Sequence, residues 1–393
     1  MVIRLSCSKR IILSILLMLF MSMMISIPRI IILGVVLFSA FGVWNTERKT
    51  SIGGSLRYIS LMRSSQLQIA LLAILLLLQA IILRLQPIDW ADALATEAAI
   101  FIGPILMVWL IRSLHSLNIY VTAFRIFVLA FSTLYLVLLV VLGLPEGRAS
   151  VFGNVSSNYC AAILYMMFPI LLYSLVERKI PLKKKARRQT LWALLLSLIV
   201  ILTTGSRTAM GALAVIALMF FLYATKERKA RKWFFRIAAV ALVGSVVMYF
   251  TMPSVQKLVQ RAVSGLTAEG GVAKDVRSVL VWEMAIDVIR SRNRFLGTGS
   301  NIIPGVYAMP AHNIWLETMM TGGIYAVILW AIMFLSALIV LVLTKDRTKK
   351  YFAGTILLLY LFTGFLQPFF STGYLCGITT WLSFYTVLLN EGL

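Results

Sequence analysis

The chain is a succession of long apolar runs separated by short polar stretches. At 1.5 Å per residue a helix of about 20 apolar residues crosses a hydrocarbon layer about 30 Å thick. Twelve such spans are predicted, at roughly 11–27, 30–44, 67–83, 93–111, 126–144, 158–176, 190–204, 208–225, 237–252, 322–344, 351–366 and 373–389. The runs are continuous, whereas barrel strands alternate apolar and polar residues in short segments. The first span follows Arg4, Lys9 and Arg10 like a signal peptide, yet it passes through Ile27-Pro28-Arg29 into a second apolar run without a small-x-small cleavage site. A retained first helix is expected. The pattern predicts an all-α polytopic membrane protein, with helices 1–9 in residues 1–252, an external loop in 253–321 and helices 10–12 in 322–393.

That loop is too long for a connection without a role. Between Val276 and Ser291, Leu280, Val281, Met284, Ala285 and Val288 fall on one side and Arg277, Glu283, Asp287 and Arg290 largely on the other. The period is helical, and the low charge density suits a membrane interface. Glu283 and Asp287 are like charges four residues apart, so cationic neighbours are expected. No internal repeat is visible, which weighs against an inverted-repeat transporter.

Composition agrees: 61% of residues are hydrophobic and 13% charged, with a mean hydropathy of +0.93. Soluble domains are about half apolar and about a quarter charged, so soluble, disordered, collagen-like and disulfide-scaffold classes are excluded. A net charge of +23 would suggest nucleic acid in a soluble protein. Here basic loops that orient membrane helices are the better reading, and no nucleic-acid partner is expected. Most of the 37 Lys and Arg fall in alternate loops, including 177–189, 226–236 and 345–350. Positive loops stay in the cytoplasm, which places both termini there; the reverse topology would expose the run Lys183 to Arg188. Cys7, Cys160 and Cys376 have neither metal-ligand spacing nor a disulfide framework.

Candidate chemistry lies on the predicted external face. The turn Thr203-Thr204-Gly205-Ser206-Arg207-Thr208 joins two closely spaced spans, so Arg207 is partly desolvated. It either snorkels to lipid phosphate or holds a specific anion. Neighbouring hydroxyls and backbone N–H groups favour the anion. Arg277 opens the loop helix; alone it reads as a solvated side chain. His312, in Met309-Pro310-Ala311-His312-Asn313, is one of two histidines, and His115 falls in a cytoplasmic loop. A lone interfacial histidine is more often structural, but a reference pKa of about 6.5 suits it to accept a proton. Glu317 lies in the same helical approach and would orient the ring or the acceptor. The glycine-rich stretch Phe295 to Asn301 does not fit a phosphate loop. Asp89 and Asp92 have the wrong spacing for a metal–sugar-nucleotide clamp, and no metal or other cofactor is expected.

The order of these pieces resembles the bacterial O-antigen ligase and O-antigen polymerase family. The resemblance rests on Thr204-Gly205-Ser206-Arg207, a large loop with Arg277, Trp282, Gly297 and Gly299, and then His312, Asn313, Glu317, Gly322 and Gly323. Asn154 and Asn158 before the sixth span also fit. It covers residues 154–330; the flanks match only as a count of spans. It implies an inner-membrane, metal-independent, inverting glycosyltransferase. The donor would be a glycan on undecaprenyl pyrophosphate, and the acceptor a growing polysaccharide or a lipid A-core sugar. Arg207 and Arg277 would hold the pyrophosphate and His312 would be the general base, with Asn313, Glu317 and Arg290 in support. Ala311 separates Pro310 from His312, where ligases often have Pro-His, which leans towards a polymerase. The rival classes are a lipid-linked-glycan flippase or other transporter, disfavoured because the spans hold few ionisable residues, and a structural membrane protein.

Overall fold

The computed structural model describes residues 117–142, 157–177, 182–251, 281–291 and 311–366, with scattered positions at 253–260, 295–297 and 380–388. The described regular structure is helical: α1 Leu117–Val141, α2 Ser157–Val176, α3 Lys184–Thr203, α4 Arg207–Lys226, α5 Arg228–Thr251, α6 Trp282–Ser291, α7 Ile314–Leu343 and α8 Arg347–Gly364. Five of these, α1 to α5, contain segments long and apolar enough to cross a membrane. The first four predicted spans lie outside the described residues, as does nearly all of the twelfth.

The fold is built around α2. Its apolar residues run all round the helix, as a helix surrounded by protein requires, and every residue of its apolar window is buried. Around it pack α1, α3, α4 and α8. Phe352 of α8 joins the group through ring contacts with Tyr173 of α2 (5.5 Å) and Phe220 and Tyr223 of α4 (6.2 and 5.4 Å). By contrast α5 leans mainly on α4 and touches α2 only lightly. Leu242, Val243 and Phe250 of α5 are exposed, as expected of a face turned to lipid.

Helices α3, α5 and α8 begin at Lys184, Arg228 and Arg347, ahead of the spans expected from 190, 237 and 351, and two further elements depart in ways that change the packing. The fifth span was expected from residue 126, with Arg125 in the preceding loop; α1 instead starts at Leu117 and encloses Arg125. That guanidinium is buried, its Nη2 donating to Thr122 Oγ1 at 3.4 Å. The tenth span was expected from residue 322, but helix begins at Ile314 and breaks at Gly323, whose φ of 64° and ψ of −159° suit glycine. Trp315 and Trp330 lie 4.2 Å apart by ring centroid. In a straight helix fifteen residues would separate them by about 22 Å along the axis. The limb 314–322 therefore folds back against the limb 324–343. Trp330 donates through Nε1 to the Tyr360 hydroxyl of α8 at 2.8 Å, fixing the long limb.

The basic segments collect at one end of the bundle. Arg187 of α3 lies over the Trp233 ring of α5 at 4.6 Å, and Tyr223 near the end of α4 is 3.0 Å from Thr348 near the start of α8. Helices α4 and α8 are antiparallel, so the start of α4 and the end of α8 meet at the opposite end.

Candidate functional site

At that opposite end two segments approach through a chain of close contacts. The first is the turn from α3 into α4. Thr203 and Thr204 are buried, and their hydroxyls donate to the carbonyls of Val200 (2.8 Å) and Ile201 (2.7 Å). Gly205 takes a φ of 63°, the left-handed conformation that lets a chain reverse without Cβ strain. Ser206 caps α4: its Oγ accepts from the Ala209 N–H at 3.3 Å. The Thr203 and Thr204 hydroxyl protons, expected to serve an anion, are thus engaged with backbone carbonyls in this structure. Arg207 is exposed as the first residue of α4, at the positive end of that helix, where an anion is favoured.

The second segment is Ala311-His312-Asn313. Asn313 caps α7, its Oδ1 accepting from the N–H groups of Trp315 (3.0 Å) and Leu316 (3.3 Å). His312 has a φ of 56°, the one described non-glycine residue in the left-handed region. A branched-Cβ-free but bulky residue pays about 1–2 kcal/mol for this conformation. Fully buried Glu317 holds it there: its Oε1 accepts the His312 backbone N–H at 2.9 Å. The arrangement is a capping box displaced by one residue at each end. Sequence reasoning gave Glu317 to the ring or the acceptor; the observed bond is to the backbone. The His312 Nδ1 atom is buried.

Helix α6 braces this segment. Trp282 Nε1 donates to the Ala311 carbonyl at 3.0 Å. Val281 and Ala285 pack with Ala311 and Met320, joined by Met284, Val288 and Leu316. The apolar face expected at the membrane interface is therefore spent on α7. Glu283, Asp287 and Arg290 are exposed on the other side, as the helical period predicts.

The link between the two segments runs through the end of α8. A Cβ built on Gly211, one turn into α4, would lie 2.7 Å from Phe362 Cζ, and one on Gly364 would lie 3.1 Å from Ile314 Cγ2. Missing Cβ atoms allow α4, α8 and α7 to approach closely here. Arg207 lies one turn from Gly211 and His312 two residues from Ile314, so the structure brings both to the same end of the bundle. Phe362 and Gly364 had no signal in the sequence beyond membership of an apolar run. Arg277 lies outside the described residues. Among the described residues no group of three or more His, Cys, Asp or Glu is placed to hold a metal ion.

Residues 192–331 match the family model described as O-Antigen ligase. This stretch takes in α4, α6, His312 and the Gly323 hairpin, and the match is consistent with the O-antigen ligase and polymerase family. No curated protein matches the chain.

Proposed function

We propose that the chain transfers a glycan from undecaprenyl pyrophosphate to a sugar hydroxyl, at the membrane face where Arg207 and His312 lie. The observation that supports this reading is the pair of close approaches Gly211–Phe362 and Gly364–Ile314, which bring the segments bearing Arg207 and His312 to the same end of the bundle, opposite the basic segments.

The chemistry follows from charge movement. The acceptor oxygen forms a bond to the anomeric carbon as the bond from that carbon to the pyrophosphate oxygen breaks. Negative charge grows on the departing diphosphate, and guanidinium groups aimed at it stabilise the transition state more than the ground state. Arg207 is one such group and Arg277 the second. Each charge-assisted bond contributes about 1.5–3 kcal/mol, or roughly 10- to 100-fold in rate. The acceptor hydroxyl proton passes to the His312 imidazole, a step worth about 10²–10⁴-fold. Direct displacement inverts the anomeric centre. Asn313 and Glu317 act on the backbone that presents His312, and Arg290, exposed on α6, is the further supporting cation of the proposal. Repeat-unit polymerisation is the finer reading, on the broken Pro-His adjacency.

A lipid-linked-glycan flippase would also place a cation inside a span, and buried Arg125 is such a residue. Reconstitution with radiolabelled donor in proteoliposomes separates the two. A transferase joins glycan to acceptor and releases undecaprenyl pyrophosphate without any gradient, and His312→Ala abolishes this. Glycan that only changes sides of the bilayer, with its carrier still attached, refutes the proposal.

A further inference from the structure

Away from the Arg207 end, a groove of about 660 Å³ opens between α3 and α5, within the range of ligand pockets. Its floor is Phe168 of α2. The wall from α3 is the stripe Leu191, Leu195 and Leu198, spaced at i, i+4 and i+7, and the facing wall includes Ile237. At the basic end it is rimmed by Arg188 of α3 and Arg236 of α5. None of the lining residues is acidic.

Three features fit one class of occupant. Arg188 and Leu198 are ten residues apart on α3, about 15 Å along the axis, which is half of a hydrocarbon core about 30 Å thick. The groove is therefore as deep as one leaflet. One rim cation is held by the groove's own wall: Arg236 lies over the Trp233 ring at 5.4 Å, and Arg187 lies over the same ring at 4.6 Å. Trp192, also lining the groove, is exposed one turn beyond Arg188, the depth at which indoles settle between headgroups and chains. Basic pockets between membrane helices take anionic lipid headgroups. We infer that the groove between α3 and α5 binds an anionic phospholipid, its phosphate between Arg188 and Arg236 and its acyl chains along the leucine stripe.

The test uses the purified full chain in phosphatidylcholine vesicles carrying dibrominated phosphatidylglycerol, with tryptophan quenching as the readout. Wild type should show a saturable quenching component that prefers phosphatidylglycerol over brominated phosphatidylcholine. Each surface arginine contributes about fivefold, so Arg188→Gln with Arg236→Gln should cut that preference by roughly tenfold or more. Lys184→Gln with Lys185→Gln removes the same charge outside the groove and should leave the component intact. Trp192→Phe should diminish it by removing a reporter in the groove. Equal loss in both double variants would reduce the effect to a general basic surface and overturn the inference. Equal quenching by the two lipids would do the same. Relief of quenching by undecaprenyl phosphate, with no competition from unbrominated phosphatidylglycerol, would assign the groove to the carrier lipid instead.

Discussion

Removing the Glu317 carboxylate isolates what presents His312 from what His312 does. In the structure Glu317 Oε1 accepts the His312 backbone N–H at 2.9 Å, and the carboxylate is fully buried. Such a charge-assisted bond contributes about 1.5–3 kcal/mol, against a cost of about 1–2 kcal/mol for a left-handed φ at a non-glycine residue. The two ranges overlap, and at their centres the bond exceeds the strain and holds the conformer. In Glu317→Ala the strain stands alone, and the presenting conformer falls to roughly 3–15% of molecules. Glycan transfer should drop about 5- to 30-fold in kcat, while the donor KM, which the proposed mechanism assigns to Arg207, stays near wild type. Glu317→Gln keeps an acceptor oxygen and should retain several times more activity than the alanine variant. The assay is single-turnover transfer in proteoliposomes, with thermal unfolding as a check on the fold. Glu317→Ala at wild-type kcat would refute the positioning role, and so would a glutamine variant no better than alanine.

Other outcomes follow from neighbouring geometry. Arg207→Lys should lower transfer about tenfold or more, because a point charge cannot reproduce the two-pronged guanidinium contact with phosphate; radiolabelled donor transfer measures it. Gly323→Ala should lower the yield of folded protein in detergent, since its φ and ψ lie where only glycine is comfortable. Gly211→Leu should drive α4 away from Phe362 and depress transfer without touching Arg207 or His312, as read by activity per folded molecule. Arg125→Met should keep transfer and raise the melting temperature, because the Nε and Nη1 atoms of this buried guanidinium meet no partner among the described residues; loss of transfer would give Arg125 a functional part.

The apolar periodicity located α2 and α4 within a residue or two, since a lipid-spanning or fully buried helix has no polar interruption to blur its ends. It misplaced the start of α1 because Arg125 looks like a loop cation, yet a helix can bury it. It missed the fold-back at Gly323 for a related reason: 314–322 and 324–343 read as one approach and one span, and the dihedral angles of one glycine separate them. The loop helix was legible from its charge pattern, but its apolar face had two equivalent destinations in the sequence, lipid or α7, and tertiary packing chose α7. Arg207 and His312 were legible as isolated oddities in apolar surroundings. Their shared location was not, because it depends on Phe362, Gly364 and Ile314, ordinary residues whose contacts cross large stretches of chain.

The most direct test is an experimental structure with undecaprenyl pyrophosphate carrying its glycan. The diphosphate should lie within hydrogen-bond reach, about 2.7–2.9 Å, of the Arg207 guanidinium, with the anomeric carbon facing the His312 imidazole. A diphosphate seated at the basic end of the bundle, or a His312 ring turned away from the sugar, would contradict the transferase site.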